Sequence, residues 1–482
     1  MYLLDTGISF ARRTCVPEIH PEKPLLIRQL PSSRSICDNN FMSLKPLKKY
    51  YLRTFGCQMN FHDSEKIAGL LSEKGYVEAP DHGEADLVIF NTCSIREKAE
   101  QKFLSELGRL KFLKRKRPHL KIMVSGCIAQ QMGEELLKRA PFVDYLLGPQ
   151  NLGEVRNILE GEKGGGEKGR GLFLENNPAL AETDLPALRK EKPKAWVSIM
   201  FGCDNFCSYC IVPYTRGREV SRPSANIIEE IKGLAREGFK EVTLLGQNVN
   251  SYRSDTDFPG LLRRIHEIQA LERVRFVTSH PRDLSDELIE VMAEYAKDKI
   301  CEHIHLPIQS GSGSILEAMK RGYVFSSYKE KINKIREKIP QISITTDIIA
   351  GFPGERDEDH RATLGALQEV QYDGIFAFMY SPRPGTPASE LEEQVPLEIK
   401  RARLSEVLAL QDMITSAKNK ALKGTIQEVL VEGVSQRSPD QLTGRTRTNK
   451  VVNFRGPLSL IGELVNIRIV DPGRHSLGGE LL

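Results

Sequence analysis

The 482-residue sequence has no run of eighteen apolar residues, which argues against a membrane-spanning helix. Its N-terminus also lacks the compact apolar segment and small-residue cleavage site of a secretory signal. We therefore expect a cytoplasmic protein whose cysteines stay reduced, as thiolates or metal ligands. With 40% hydrophobic and 27% charged residues, the chain is long enough for about two to four packed domains.

Two further absences limit the kind of site. No G-x4-G-K-[ST] motif occurs, and no strand leads into the Gly- and Lys-rich residues 161–171, so we reject an NTPase and predict a linker over residues 161–192. Cysteine is scarce, with nine in the chain, and no fourth Cys or His falls at zinc-finger spacing beside the closest three. A closed, four-ligand zinc site is therefore disfavoured.

Three cysteines lie within eight residues. Cys203, Cys207 and Cys210 form a C-x3-C-x2-C run. Thiolates at this spacing on one loop reach three irons of a 4Fe-4S cube and leave the fourth iron without a protein ligand. The alternatives are a zinc site or disulfides, which tight cysteine runs form more often. If the run binds a cluster, the open iron is the position at which chemistry takes place.

Three other cysteines are far apart, and each ends an apolar run that resembles a strand. The runs YYLRTFGC, ADLVIFNTC and KIMVSGC end at Cys57, Cys93 and Cys127, and segments of helical period separate them. This alternation predicts a parallel α/β sheet over residues 49–160. Ligands collect at the carboxyl ends of such strands, so we expect the three thiols to converge and hold a second cluster. Thiols that merely fill a core would lie inside the apolar runs.

A second α/β series begins near Trp196. Six strand-like runs alternate with helical segments, which predicts a partial (β/α)6 barrel over residues 193–417 whose open side admits a bulky substrate. Functional residues of such barrels lie at the carboxyl ends of the strands. The polar or Gly-rich residues at these places are Gln247, Asn248, Ser279, His280, Gln309, Ser310, Asp347, Gly351, Glu355 and Arg383.

The pattern changes again over residues 418–482. Apolar and polar residues alternate between Gly and Pro turns, which predicts a small antiparallel β-barrel. Arg445, Arg447 and Lys450 cluster beside Asn449 and Phe454, a combination that suits a nucleic-acid backbone and a stacked base. A solvated loop without a ligand explains the same residues.

Residues 1–48 mix Pro, Arg and Ser without periodicity, and we expect a disordered extension. A start at Met42 and a targeting peptide are the alternative explanations.

The run GCDNFCSYC resembles the radical S-adenosylmethionine (SAM) signature C-x3-C-x-aromatic-C, with Tyr209 as the aromatic residue. Together with the second triplet and the basic C-terminal barrel, the chain from about residue 49 resembles the methylthiotransferase family of radical SAM enzymes. Its terminal module resembles a TRAM domain. The segments that carry the resemblance are TFGCQMNFHDSE, NTCSIREKAEQK, MFGCDNFCSYCIVPYTRGREVSRP, HLPIQSGS, DIIAGFPGE and GRTRTNK.

The resemblance implies two 4Fe-4S clusters and SAM. The close triplet would hold the cluster that chelates SAM, and the distant triplet would hold an auxiliary cluster that handles sulfur. Arg383 would reach substrate or a carboxylate, a structural ion pair being the alternative, and Arg445, Arg447 and Lys450 would contact tRNA phosphates. LLGQNVN stands in place of the Gly-Gly-Glu of many radical SAM proteins. The implied SAM contacts are Tyr209, Gly246, Gln247, Gln309, Ser310 and Asp347.

The implied activity adds a methylthio group to carbon 2 of N6-isopentenyladenosine at position 37 of tRNA. Two related enzymes are alternatives, one acting on threonylcarbamoyladenosine in tRNA and one modifying an aspartate of a ribosomal protein. An RNA-binding iron-sulfur protein with purely structural clusters is another, from a different functional class. The implied partners are tRNA, a reducing electron donor and a sulfur source, and we expect a monomer that does not bind membranes.

Overall fold

The computed structural model describes residues 47–94, 97–161, 170–176, 184–190 and 192–482. Nearly all of the extension expected to be disordered, and much of the expected linker, lie outside the described residues. The domain boundaries stay predictions. Within the part of the chain that the structure describes, no helix is both long and apolar enough to cross a membrane.

The N-terminal region contains the predicted parallel sheet, with six strands in the order β2-β1-β3-β4-β5-β6. The central strands are buried along nearly all of their length because helices cover both faces of the sheet. Every residue of the third strand, LVIFNT, is buried. The strands are β1 (Lys49–Thr54), β2 (Val77–Glu78), β3 (Leu87–Thr92), β4 (Lys121–Gly126), β5 (Tyr145–Leu147) and β6 (Gly171–Phe173). The last of these lies in the segment predicted as a linker, where three residues are too few to show a strand period.

Two apolar clusters sandwich this sheet. Phe90 and Val124 pack with Phe103 of one helix on the first face, while Ile89 packs with Leu70 of another helix on the second. The helices are α1 (Gln58–Glu73), α2 (Glu97–Lys116), α3 (Cys127–Met132), α4 (Glu134–Arg139) and α5 (Glu154–Glu160).

The central region has the six predicted parallel strands, and the partial (β/α)6 barrel is confirmed. They form two three-stranded sheets, joined where Val274 pairs in parallel with Ile300. The strands are β7 (Lys194–Ser198), the short antiparallel pair β8 (Met200–Phe201) and β9 (Val220–Ser221), β10 (Glu241–Leu245), β11 (Arg273–Phe276), β12 (His303–His305), β13 (Ser343–Ala350) and β14 (Gly374–Met379).

Helices cover the outside of these strands, and one large apolar core lies between the two layers. The apolar residues of the amphipathic helices, such as Ile227 and Ile231, lie on the face that packs against the strands. The helices are α6 (Val212–Arg216), α7 (Ser224–Arg236), α8 (Phe258–His266), α9 (Asp286–Tyr295), α10 (Gly313–Ala318), α11 (Phe325–Lys338), α12 (Asp357–Val370) and α13 (Leu397–Lys420).

The C-terminal region is a closed five-stranded barrel in the order β15-β16-β17-β19-β18. The prediction of a small antiparallel barrel is confirmed, although β17 and β19 pair in parallel. Closure leaves no sheet edge open to pairing with another chain. The strands are β15 (Ile426–Val434), β16 (Leu442–Thr446), β17 (Val451–Phe454), β18 (Leu464–Pro472) and β19 (Leu477–Leu481).

This barrel docks on the amino ends of the central strands. Arg275 of β11 donates to the backbone carbonyls of Thr446 and Arg447, at 2.7 and 2.9 Å. Its Nε also donates to Glu241 at 2.9 Å, and both partners of this ion pair are buried. The C-terminal barrel therefore lies at the opposite end of the central strands from their carboxyl ends.

We expect Arg275→Ala to destabilise the docked assembly, because it leaves the Glu241 carboxylate buried without its cation. Breaking one side of a buried ion pair costs about 3–5 kcal/mol. Chemical denaturation followed by circular dichroism measures the effect, with Arg236→Ala on the exposed face of α7 as the control. Equal midpoints for the two variants would contradict the docking role.

Candidate active site

The structure brings the three distant cysteines together at one edge of the N-terminal sheet. Cys57, Cys93 and Cys127 follow β1, β3 and β4, which are neighbours in that sheet. All three thiols are buried, and the Cys57 thiol is hydrogen-bonded with that of Cys93. This bond, aided by the Arg216 charge, lowers the pKa of Cys57 to about 6 despite burial.

A glycine with positive φ precedes a cysteine at three places in the two triplets. Gly56, Gly126 and Gly202 have φ of 147°, 94° and 70°. A side chain on Gly126 would place its Cβ 2.3 Å from the Thr92 carbonyl oxygen, and one on Gly202 would lie 1.9 Å from the Arg218 carbonyl oxygen. Only glycine permits both the backbone conformation and the close approach. The repeated Gly-Cys pair was a usable sequence signal.

The close triplet lies on the loop between β8 and α6. Two backbone bonds shape the loop: Cys203 N–H donates to the Gly217 carbonyl at 3.2 Å, and Cys210 N–H donates to the Cys207 carbonyl at 2.9 Å. Burial raises the pKa of Cys203 to about 11 and that of Cys210 to about 12. These thiols must therefore release protons when they ligate a metal.

One cavity of about 270 Å³ separates the two triplets. Cys57 lines it from the N-terminal sheet, and the whole close triplet lines it from the central barrel. Among the described residues, no three His, Cys, Asp or Glu side chains are arranged around a single metal ion. Thiolates that hold a 4Fe-4S cube bind three separate irons, so they stand farther apart than the ligands of one ion. Each triplet supplies the three thiolates that a 4Fe-4S cluster with one open iron takes, so the donor set fits two such clusters.

A buried arginine crosses from the central region to the distant triplet. Arg216, at the end of α6, donates to the Asp63 carboxylate of α1 at 2.8 Å. Its guanidinium also contacts the Cys127 thiol and lies near Cys57. Although burial opposes the charge, Asp63 and the two thiols raise the pKa of Arg216, so it stays a cation.

A second buried arginine contacts the close triplet. One guanidinium nitrogen of Arg321 lies 3.4 Å from Cys207 Sγ and 3.4 Å from the Tyr209 hydroxyl. The other donates to the Pro307 carbonyl at 2.7 Å, and Nε donates to the Tyr323 hydroxyl at 3.0 Å. Sequence reasoning missed both arginines, because nothing in a chain pattern shows which distant side chain an arginine meets.

Comparison with known proteins decides the family. Three models match: uncharacterized protein family UPF0004 over residues 49–148, the radical SAM superfamily over 197–367, and the TRAM domain over 420–482. The tRNA-2-methylthio-N(6)-dimethylallyladenosine synthase of Thermodesulfovibrio yellowstonii is 54% identical over 90% of this chain and 98% of that protein. The synthase of the same name from Carboxydothermus hydrogenoformans is 50% identical over 90% and 99%. The chain belongs to the tRNA-2-methylthio-N(6)-dimethylallyladenosine synthase family.

Solved structures support the fold of this family member. The radical SAM methyltransferase TsrM from Kitasatospora setae, with cobalamin and a [4Fe-4S] cluster bound, has a TM-score of 0.53 and 15% identity, covering 71% of this chain and 77% of that chain. The cobalamin-dependent SAM radical enzyme OxsB has a TM-score of 0.51 and 13% identity, covering 76% and 56%. At these identities the likeness concerns the fold alone.

Most of the predicted SAM contacts of this family member line the cavity, namely Tyr209, Gly246, Gln247, Gln309 and Asp347. Ser310 does not: it is buried and lies 3.2 Å from the Thr363 hydroxyl of α12, on the outer side of the strand layer. We therefore do not include Ser310 in the proposed SAM site.

Three cavity residues absent from the predicted SAM contacts have a buried polar atom without a hydrogen-bond partner among the described residues: Ser279, His280 and Tyr380. Burial, with nearby cations, lowers the pKa of His280 to about 2, so its ring is neutral. His280 Nδ1 accepts from the Arg282 backbone N–H at 3.2 Å. The proton therefore lies on Nε2, which becomes a donor for a ligand. Ser279 and His280 were visible as strand-end residues, whereas Tyr380 gave no signal.

Arg383 lines the cavity and also contacts the N-terminal domain, where its Nη1 lies 3.4 Å from a Glu100 carboxylate oxygen of α2. Arg383 therefore lies where a substrate contact is expected, and it also forms the ion pair that was the alternative explanation.

The three basic residues predicted to contact tRNA have carboxylate partners within the protein. Arg447 donates to Glu302 at 2.8 Å, Lys450 lies 3.3 Å from Asp373, and Arg445 is paired with a further carboxylate. All of these contacts lie on the docking side, away from the cysteines. The geometry gives no support to the predicted tRNA contacts of these residues. The sequence could not show this, because a charge count does not reveal which charges are already paired.

We expect Gly202→Ala to disturb the loop of the close triplet, because the new Cβ would overlap the Arg218 carbonyl oxygen. If Cys203 ligates iron as predicted, bound iron should fall by about four atoms per chain. Iron and sulfide analysis after anaerobic reconstitution measures this. Gly108→Ala is the matched control, since it lies on the exposed face of α2 with no heavy atom within 4 Å. Full iron content in the Gly202 variant would contradict the prediction.

Proposed function

We infer that this protein adds a methylthio group to carbon 2 of N6-isopentenyladenosine in tRNA, using SAM and two 4Fe-4S clusters. The observation that carries this inference is a cavity lined by Cys57 of the distant triplet and by all three cysteines of the close triplet. One cluster of the pair would serve SAM and the other sulfur, and a shared cavity lets both act on one base. The names of the relatives favour this substrate over threonylcarbamoyladenosine, and the radical SAM domain favours an enzyme over an RNA-binding protein with structural clusters.

We propose that Cys203, Cys207 and Cys210 ligate the SAM cluster and that the distant triplet ligates the auxiliary cluster. When bound, the clusters and SAM supply electron transfer, radical formation and sulfur delivery. The protein supplies thiolates at fixed places, a buried wall that excludes water, and polar groups that orient SAM and the base.

The proposed SAM site uses cavity residues that present hydrogen-bonding groups. Gln247 has a buried Oε1 without a partner among the described residues, so it is available as an acceptor. Gln309 adopts φ of 75°, and its backbone N–H donates to the Asp347 carbonyl at 2.9 Å. That bond ties the ends of two barrel strands together and holds both side chains at the cavity. Tyr209 and Gly246 complete the proposed set.

The proposed partners are tRNA, a one-electron reductant and a sulfur source. The base of a tRNA must enter at the carboxyl ends of the central strands, while the C-terminal barrel docks at their amino ends. We propose that the tRNA contacts of that barrel lie outside its docked face. A one-electron reductant and a sulfur source are needed, and a monomer suffices because one chain lines the whole cavity. We place the reaction in the cytoplasm, where tRNA is modified.

Nucleoside analysis of tRNA tests the substrate. A strain without this protein should lose 2-methylthio-N6-isopentenyladenosine and accumulate N6-isopentenyladenosine, because the last step would be missing. Return of the wild-type gene should restore the methylthio form. Unchanged 2-methylthio-N6-isopentenyladenosine in the deleted strain would overturn the substrate assignment.

Single cysteine variants test the division of labour. Cys203→Ala should abolish SAM cleavage to 5′-deoxyadenosine and retain the auxiliary cluster, whereas Cys93→Ala should retain cleavage and lose methylthio transfer. Each should lower bound iron from about eight to about four per chain. Cys301→Ala is the control, since this buried thiol belongs to neither triplet. Identical losses in the Cys203 and Cys93 variants would argue against two separate roles.

A further inference from the structure

Arg321 differs from the other buried arginines of the described chain. Five of them form an ion pair with a carboxylate: Arg216, Arg222, Arg273, Arg275 and Arg403. Arg321 is only 4% exposed, yet no carboxylate of the described residues forms an ion pair with it. A buried charge without a counter-charge costs several kcal/mol. The structure therefore calls for an anion at Arg321.

The donors of Arg321 show where that anion lies. One nitrogen faces both Cys207 Sγ and the Tyr209 hydroxyl at 3.4 Å, and the guanidinium lines the cavity. Pro307 and Tyr323 hold the opposite side of the group, so it is rigidly oriented toward the cysteine loop. The anionic group on that side would be the thiolates of the cysteine loop when they ligate a cluster.

We propose that Arg321 is the counter-ion of the cluster held by Cys203, Cys207 and Cys210, and that it raises the reduction potential of that cluster. The inference rests on the proposed ligand assignment. Reduction adds negative charge, so a nearby cation and an N–H···S bond stabilise the reduced form. Arg321 is a positioning residue in this account, because it acts through Cys207.

The distant triplet provides an internal contrast. Its arginine, Arg216, is already paired with Asp63, so the Arg216–Asp63 pair adds little net positive charge there. A one-electron reductant would therefore meet two clusters of unequal potential in one cavity. Arg321 favours arrival of the electron at the cluster that serves SAM.

The test measures the midpoint potentials of both clusters by redox titration of the full chain, followed by electron paramagnetic resonance. Arg321→Met removes the charge and the donors while keeping an unbranched side chain. We expect the potential of the SAM cluster to fall, with at least a tenfold change in the ratio of oxidised to reduced cluster, about 59 mV for one electron. The auxiliary cluster should keep its potential.

Two further variants cover the case in which Arg321→Met does not hold its cluster. Arg321→Lys retains the charge but cannot make all of the contacts at once, and should lower the potential less. Tyr323→Phe removes only the hydroxyl that accepts from Arg321 Nε, and should give a small fall in the same direction. Arg236→Met, an exposed substitution on α7, is the control and should match the wild type.

Two outcomes would overturn the proposal. The first is an unchanged potential of the SAM cluster in the Arg321 variants; if SAM binding were weakened at the same time, Arg321 would be assigned to the SAM carboxylate. The second is an equal shift in both clusters, which would indicate a general structural effect. The ligand assignment is judged separately: if Cys203→Ala retained the SAM cluster signal, that assignment would fail whatever the Arg321 variants do.

Discussion

The buried ion pair between Arg216 and Asp63 is the contact on which the arrangement of the active site depends. It joins a helix of the central barrel to a helix of the N-terminal domain at 2.8 Å, directly beside the thiols of the distant triplet. Lys66 adds a second buried contact between the domains, donating to the Ser198 hydroxyl at 3.1 Å. Because an unpaired charge at such a place is costly, the two domains are held in one relative position. Cys57 of the N-terminal domain and the close triplet of the central barrel therefore line one cavity.

The two ends of the central strands carry different groups of residues. The carboxyl ends carry the cysteine loop, the polar cavity residues and the contact with the N-terminal domain. The amino ends carry Arg273 and Arg275, which donate to backbone carbonyls of the C-terminal barrel. The docked barrel and the cavity are thus separated by the length of the strands, and no described residue of the barrel lines the cavity.

Much of the fold could be predicted because its signals are local. The six central strands, the parallel N-terminal sheet and the closed C-terminal barrel follow from apolar periods and turn residues over a few positions. Short strands such as Gly171–Phe173 were missed, because three residues carry no period. The nucleic-acid contacts of Arg445 and Arg447 stay predictions. The structure pairs Arg445 with Glu432 of the same barrel, and Arg447 with Glu302, 145 residues away in the chain.

The amino-acid sequence by itself determined the two cysteine triplets, their places at strand ends and the radical SAM signature, because each is written in neighbouring residues. Only the tertiary structure decided that Cys57 shares a cavity with the close triplet, that Arg216 and Arg321 contact different triplets, and that Arg321 has no carboxylate partner among the described residues. These properties depend on side chains more than a hundred residues apart, as with Arg321 and Cys207. Packing of the domains, rather than any local pattern, brings such groups within hydrogen-bonding distance.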